Sequence, residues 1–370
     1  MGLFKKLISV SPRYIFKELN RRYRLKYRPE WHRGGYAGAP YAVSFWLTNR
    51  CNLQCSMCFV NKPGVEDRKE LGIDELKRVL DDLHHWHPRI GITGGEPLLR
   101  KDLVDFITHA KKLDLKVGLN SNAVLIDEDY ASALVASGLD NLTVSVDGPP
   151  AIHDTIRGKS GLFDRAVQGI KYIHEARLKA GKIRPLLRIT CTITHENQDS
   201  FAELGAIASN PELGLEDMGI QHLWFIPPSL RAEHGEVFQR TMGQDSPNLD
   251  GFVVEEHSID PNIVMQSLAR LKETAVIPVV ENPRLGEDGI RRYYMEEAPV
   301  LAKPCYSRFL RMEINPYGDV TPCLSWVAGN TREQSVRDIW NSERYRKFRQ
   351  ALTEVNYFPG CLRCCGLFSD

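Results

Sequence analysis

Three cysteines, Cys51, Cys55 and Cys58, stand in the run Thr48-Asn-Arg-Cys-Asn-Leu-Gln-Cys-Ser-Met-Cys-Phe59, a C-x-x-x-C-x-x-C spacing that puts three thiols on one short loop. Thiolates of this kind hold iron–sulfur clusters or zinc. A closed [4Fe–4S] cube takes four thiolates, so three leave one iron open for a substrate or cofactor. The alternative is a zinc knuckle. Zinc takes four ligands and favours C-x-x-C pairs, whereas His84, His85 and His87 come only after the next expected helix. A second field holds Cys305, Cys323, Cys361, Cys364 and Cys365. Asn315-Pro-Tyr-Gly-Asp319 reads as a hairpin turn before Cys323, and Cys361 and Cys364 form a C-x-x-C pair. Cys305, Cys323, Cys361 and Cys364 make a complete four-thiolate set, suited to a cluster without an open iron or to a structural zinc. Cys365 is either a spare thiol or an exchange partner of Cys364.

The elements that must position these thiols alternate. Tyr41–Thr48 is a buried strand ending at the cysteine loop. Helix 73–83, strand 88–93, helix 102–113, strand 115–119, helix 129–136, strand 141–146, helix 163–180, strand 186–194, helix 201–209 and strand 220–226 follow. About six strand–helix units give a parallel sheet with helices outside, and the pattern alone allows a partial barrel or a doubly wound sheet. Catalytic groups then collect at the C-terminal strand ends. There the second strand runs into Thr93-Gly94-Gly95-Glu96-Pro97. Two glycines let the backbone approach a ligand, and Glu96 offers acceptors to an ammonium group; a turn with Pro opening a helix is the structural alternative. Asn120-Ser121-Asn122 follows the third strand, Ser145-Val-Asp147-Gly148 the fourth, and Arg157 comes shortly after. A planar guanidinium suits a carboxylate, although Asn and Asp also hold turns and caps. Cys191, inside an apolar strand, reads as a small core residue. His195, His234, Glu236 and Tyr293 are polar candidates read as structural, and no catalytic acid or base is assigned.

Four parts are expected: a basic amphipathic segment 1–40, a barrel 41–227, a lid or connecting region 228–303 and a cysteine-bearing domain 304–370. The stretch 227–250, rich in Gly, Pro and polar residues, reads as a loop or lid before helix 261–274 and strand 275–280. Residues 1–35 hold ten Lys or Arg against Glu18 and Glu30, which leaves the remainder net negative by about seven. Ser11-Pro12 is a good helix start, with Ile15, Leu19 and Tyr23 on one face. Residues 1–28 are thus a candidate contact with the inner face of an anionic membrane; the alternative is a helix packed on the barrel's open bottom. Lys5 and Lys6 precede an apolar run too short for a signal core, and no run reaches membrane-spanning length. A cytoplasmic protein whose cysteines bind metal is expected, with no nucleic-acid partner.

A cysteine triplet after the first strand, with Gly-Gly-Glu-Pro about one strand–helix unit later, resembles the radical S-adenosylmethionine (SAM) enzymes. The second field resembles their twitch domain, the short relative of the SPASM domain; a full SPASM pattern needs more cysteines after Cys364. The resemblance implies an α/β fold, a partial (β/α)6 barrel with a small C-terminal auxiliary-cluster domain. It assigns Cys51, Cys55 and Cys58 to a SAM-binding [4Fe–4S] cluster, and Cys305, Cys323, Cys361 and Cys364 to an auxiliary [4Fe–4S] cluster. Met57, Gly94, Gly95, Glu96, Asn120, Ser145, Asp147 and Arg157 become the implied SAM contacts; Met57, which replaces a frequent aromatic, would act through its backbone. The implied activity is reductive cleavage of SAM to a 5′-deoxyadenosyl radical that oxidises a sugar-like or lipid-linked small molecule. Electrons would come from a donor such as flavodoxin or ferredoxin, with the auxiliary cluster as acceptor. Ribosomal peptide maturation is the rival, weakened because only some forty residues precede the first strand. A non-catalytic iron–sulfur or zinc scaffold is a third reading and leaves the Gly-Gly-Glu turn unexplained.

Overall fold

The computed structural model describes residues 33–59, 68–247, 249–255, 257–297, 300, 304–323 and 326–368; the predicted amphipathic helix in residues 1–28 lies outside them. The alternation appears as β1 (Ala42–Trp46), α1 (Ile73–Leu83), β2 (Arg89–Thr93), α2 (Leu103–Lys112), β3 (Lys116–Ser121), α3 (Glu128–Ala136) and β4 (Asn141–Ser145). Helices α4 (Pro150–Arg157) and α5 (Leu162–Lys179), strand β5 (Leu186–Thr192), helix α6 (Phe201–Ala208) and strand β6 (Leu215–Gln221) complete six parallel units. Helix α1 shows the local logic. The Gly72 N–H donates to Glu75 Oε2 at 2.8 Å, and Leu76, Val79, Leu80 and Leu83 form one buried stripe.

Strands β1 to β6 lie side by side in chain order. An order without reversal, joined by right-handed crossovers, keeps all helices on one face and curls the sheet into an open barrel; a doubly wound sheet would reverse at a switch point. Strands β1, β4 and β5 alternate between fully and partly buried residues. A parallel sheet packed on both faces would read as continuous burial, so the inner face of this one is left open. Small and polar side chains line it, among them Ser44, Thr93, Thr143, Ser145 and Thr190, and nothing lies within 4 Å of where a Gly118 Cβ would be.

Beyond β6 the structure corrects the sequence reading. Strand β6 starts five residues earlier than expected, because Asp217 is held by an ion pair to Arg188 on β5 that the apolar pattern did not show. The stretch taken for a loop or lid is helix α7 (Pro228–Met242), opened by Pro227-Pro228 and burying Leu230, His234, Phe238 and Met242 at i, i+4 spacing. Helix α8 (Pro261–Thr274) leads to β7 (Val279–Asn282), which pairs parallel with β6 as a further strand of the sheet. Helix α9 (Gly286–Met295) follows.

The last section grows from the opposite edge. Strand β8 (Arg311–Ile314) pairs parallel with β1, from Ala42↔Arg311 to Phe45↔Ile314. Strands β9 (Asp319–Thr321) and β10 (Gly329–Asn330) continue antiparallel, giving ten strands in one sheet among the described residues. The expected hairpin turn is present: Asn315 Oδ1 accepts from Asp319 N at 2.9 Å, and Gly318 takes φ +88°, a conformation only glycine adopts freely. Arg68 grips Asp319 with two bonds of 2.7 and 3.0 Å. Helices α10 (Val336–Trp340), α11 (Glu343–Val355) and α12 (Cys365–Phe368) finish the fold. Strand β1 thus carries one thiol loop at its end and one thiol domain along its side.

Candidate functional site

At the C-terminal ends of β1 to β4 a cavity of about 160 Å³ is lined by Cys51, Cys55, Cys58, Gly94, Gly95, Glu96, Asn120, Ser145 and Arg157. Thr93, Leu53, Ser121 and Asn122 complete its walls. The loop's entry is set by Thr48, which donates to Glu70 Oε1 at 2.6 Å and accepts from Arg50 N at 3.0 Å. The Gly-Gly-Glu backbone then zips onto that entry, Gly95 N to Thr48 O at 2.7 Å and Glu96 N to Arg50 O at 2.8 Å. A Cβ on Gly95 would collide with the Arg50 carbonyl, and Gly94 takes φ +123°. Both glycines are therefore required for the two loops to touch.

Glu96 is buried, and its carboxylate is engaged with the chain. Oε1 accepts from Leu98 N at 3.0 Å and Ser121 Oγ at 2.8 Å, and Oε2 accepts from Asn122 N at 2.8 Å. Burial pushes its pKa up while these donors hold it down, the first effect being larger. Asn122 also reaches the cysteine loop, donating to Asn52 Oδ1 at 2.9 Å. Side chains in the turns just after β2 and β3 thus brace the thiols from one side.

Helix α4 braces them from the other. Ile156 O accepts from Ser56 N at 3.0 Å, and Gly158, at φ +79°, lies against the Gln54 carbonyl. Arg157 donates through Nε to Asp147 Oδ2 at 2.6 Å and through Nη1 to Cys55 Sγ at 3.6 Å. Burial pulls its pKa down, but the Asp147 and Cys55 charges outweigh it and the net shift is upward. Asp147 is fully buried; its other oxygen accepts from Thr192 N at 2.9 Å. It stands behind Arg157 and does not line the cavity, so its place is that of a support. Met57 is half-buried and also off the cavity wall. His153 completes the support: Nδ1 accepts from Asp147 N at 3.2 Å, and burial lowers its pKa to about 4. Cys191 is buried in β5 and donates to Asp147 O at 3.5 Å, as a core residue would.

The second set gathers where β8, β9 and the α11–α12 connection meet. Cys305 and Cys364 are buried and Cys323 and Cys361 half-buried. Cys305, Cys323 and Cys361 each feel the charge of others in the set, and Cys364 that of the neighbouring Cys365. Burial pushes the Cys323 thiol up to about 12. Such thiols reach the thiolate state when a metal takes the proton's place, which is the donor chemistry of an iron–sulfur cluster. Cys365 opens α12 with its thiol hydrogen-bonded to Cys364. The polar candidates fall outside both centres. Tyr293 donates to Leu223 O and Arg363 O at 3.0 and 2.8 Å, and His234 Nδ1 accepts from Gly360 N at 3.1 Å. His195 and Glu236 are exposed.

Between the centres stands an aromatic wall that sequence reasoning missed. Phe59, next after Cys58, stacks on Phe252 at 4.4 Å and leans on Trp46 at 5.6 Å; Phe252 meets Trp224 at 4.1 Å. Leu362, beside Cys361, belongs to the same apolar cluster. Only Phe59 next to a cysteine was visible as a signal; the other rings come from three separate segments.

Residues 47–205 match the model of the Radical SAM superfamily and residues 305–365 that of an iron–sulfur cluster-binding domain, SPASM. The Fe-coproporphyrin III synthase of Methanosarcina barkeri is 36% identical over 318 residues, covering 80% of this chain and 73% of that protein. The AdoMet-dependent heme synthase of Nitratidesulfovibrio vulgaris is 27% identical over 348 residues, covering 87% and 84%. Among solved structures, Streptococcus suis SuiB bound to S-adenosylmethionine superposes with a TM-score of 0.61 at 18% identity, covering 94% of this chain and 77% of that one. That last likeness is one of fold.

Proposed function

Because the chain belongs to the radical SAM superfamily and carries a C-terminal SPASM domain, we propose that it oxidatively modifies a carboxylate-bearing tetrapyrrole. This keeps the expected small-molecule class and auxiliary electron acceptor and replaces the sugar-like or lipid-linked substrate with a planar macrocycle. The observation that carries it is the aromatic wall of Phe59, Trp224, Phe252 and Trp46 beside the cysteine loop. Flat rings, of which Phe59, Trp46 and Trp224 are half-buried, suit a flat apolar ligand. Similarity to a Fe-coproporphyrin III synthase and a heme synthase supports the same reading.

A cluster and SAM bound at the first centre would supply the radical chemistry that removes a hydrogen atom from the substrate. The chain's part is placement. Cys51, Cys55 and Cys58 would hold the cluster and, being three, would leave it a site open to the cofactor. Gly94 and Gly95 expose backbone to its ammonium end, with Glu96 behind them. Asn120 and Ser145, which line the cavity, would offer amide and hydroxyl groups to the ribose, and Arg157, oriented by Asp147, would meet a carboxylate. Cys305, Cys323, Cys361 and Cys364 would hold the auxiliary cluster, which would supply an acceptor for the single electron the substrate must lose. Among the described residues no helix is long and apolar enough to cross a membrane.

The test is release of 5′-deoxyadenosine by the anaerobically reconstituted protein with Fe-coproporphyrin III, and the Soret shift on binding it. Tetrapyrrole-dependent turnover that falls at least tenfold in Trp224→Ala is expected. No Soret shift together with turnover on a peptide would overturn the reading in favour of peptide maturation.

A further inference from the structure

Arg308 is a buried cation within the second thiol set. It follows Cys305 by three residues, on the 3-10 turn Ser307–Phe309, and its residue is 7% exposed. Nη1 donates to Glu313 Oε1 at 3.0 Å, and no other hydrogen-bond or ion-pair partner of its side chain occurs among the described residues. The position where a Gly366 Cβ would sit lies 3.4 Å from Cys364 Sγ and 3.6 Å from Arg308 Nη2, so sulfur and guanidinium share one small space. The same turn aims the Ser307 and Arg308 backbone N–H groups at the Cys305 sulfur. Its carbonyl is held in turn, accepting from Arg349 Nε at 3.0 Å. Arg349 is buried against the rings of Trp340 and Tyr345, 4.0 Å from each centroid. The backbone that carries the cation is thus fixed, and Glu313 holds its guanidinium.

A four-thiolate cluster carries net negative charge, which grows by one when it is reduced. A fixed cation at low dielectric favours the more negative state, and net charge and hydrogen bonds to sulfur are what tune such clusters. We propose that Arg308 raises the reduction potential of the auxiliary cluster, so that it accepts the single electron lost by the oxidised substrate, while Glu313 orients the guanidinium and offsets part of its charge. Arg308 is a positioning residue here, acting through the cluster. The inference rests on Cys305, Cys323, Cys361 and Cys364 being the ligands.

The experiment is a reductive titration followed by EPR on the full chain carrying C51A, C55A and C58A, so that the auxiliary signal stands alone. Arg308→Met should keep the iron and shift the reduction equilibrium at least tenfold toward the oxidised form, about 59 mV for one electron. Arg308→Lys should recover more than half of that shift, and Glu313→Gln should move the potential upward. An unmoved potential in Arg308→Met with full iron, or Arg308→Lys as low as Arg308→Met, overturns the proposal. Should Arg308→Met lose its cluster, Glu313→Gln decides, since an unmoved or lowered potential there rejects the role. Persistence of the signal after alanine replacement of the four cysteines would instead refute the ligand assignment.

Discussion

The two thiol centres are built on opposite terms. The first stands at the rim of an open barrel, with half-buried cysteines and a cavity beside them whose walls carry backbone, amide and hydroxyl groups, the Glu96 carboxylate and the Arg157 guanidinium. The second buries two of its thiols outright, Cys305 and Cys364, and has a fourth thiol where the first has space, with the Arg308 guanidinium paired to Glu313 beside it. Three ligands and a cavity make a place for a cofactor to bind and react; four ligands and burial make a place for an electron to stay. Both hang on β1, so their separation is fixed by strand pairing and not by a linker.

Several substitutions would break that contrast, beginning with the most severe. Replacing Cys51, Cys55 and Cys58 by alanine should lower the iron content from about eight to about four per chain and abolish 5′-deoxyadenosine formation; cleavage that survives would remove the cofactor from this loop. Alanine at Cys305, Cys323, Cys361 and Cys364 should also leave about four irons, yet keep SAM binding while net product stops. Product formed at the parent rate, measured by chromatography, would deny the second centre its role as acceptor.

Smaller changes test the bracing. Asp147→Ala strands Arg157 as an unpaired buried charge and should cost about 3–5 kcal/mol in denaturant unfolding, with weaker SAM binding by calorimetry. Gly95→Ala should weaken SAM binding at least tenfold through the clash with the Arg50 carbonyl, while its auxiliary EPR signal stays unchanged. A loss of both signals would show that the two centres are not independent. The smallest effect concerns acid. His153 drops from its ordinary 6.5 to about 4 on burial, so the unfolded chain takes up a proton that the folded chain refuses. Its contribution is complete above pH 6.5 and declines as pH falls from there to 4, by about 3 kcal/mol at most. Melting of the parent should therefore fall faster over that window than melting of His153→Asn, and parallel curves would contradict it.

Much of this was legible in order of chain. Helices 73–83 and 261–274 were placed to the residue, because their apolar spacing and caps are local signals. Of the cavity residues, Gly94, Gly95, Glu96, Asn120 and Ser145 were visible at or just after expected strand ends and Arg157 shortly after the fourth, where the resemblance implied cofactor contacts. What failed had non-local causes. Helix α7 looked like a loop because its polar composition hides four buried positions that meet the cysteine-bearing domain only after folding. Strand β6 was displaced because Glu216 and Asp217 find Arg177 and Arg188 on neighbouring elements.

The sequence by itself determined the thiol count on each loop, the strand–helix rhythm and the glycines that let two loops touch, since spacing and backbone freedom are properties of a few neighbouring residues. Only the tertiary structure decided that Asp147 serves Arg157 and not the cavity, that Glu96 is shared among three donors, that four rings from separate segments form one wall, and that Arg308 is sealed beside the second thiol set. Each of these is an interaction between groups brought together by β-pairing across long stretches of chain, and its energy depends on burial and orientation that no local pattern specifies.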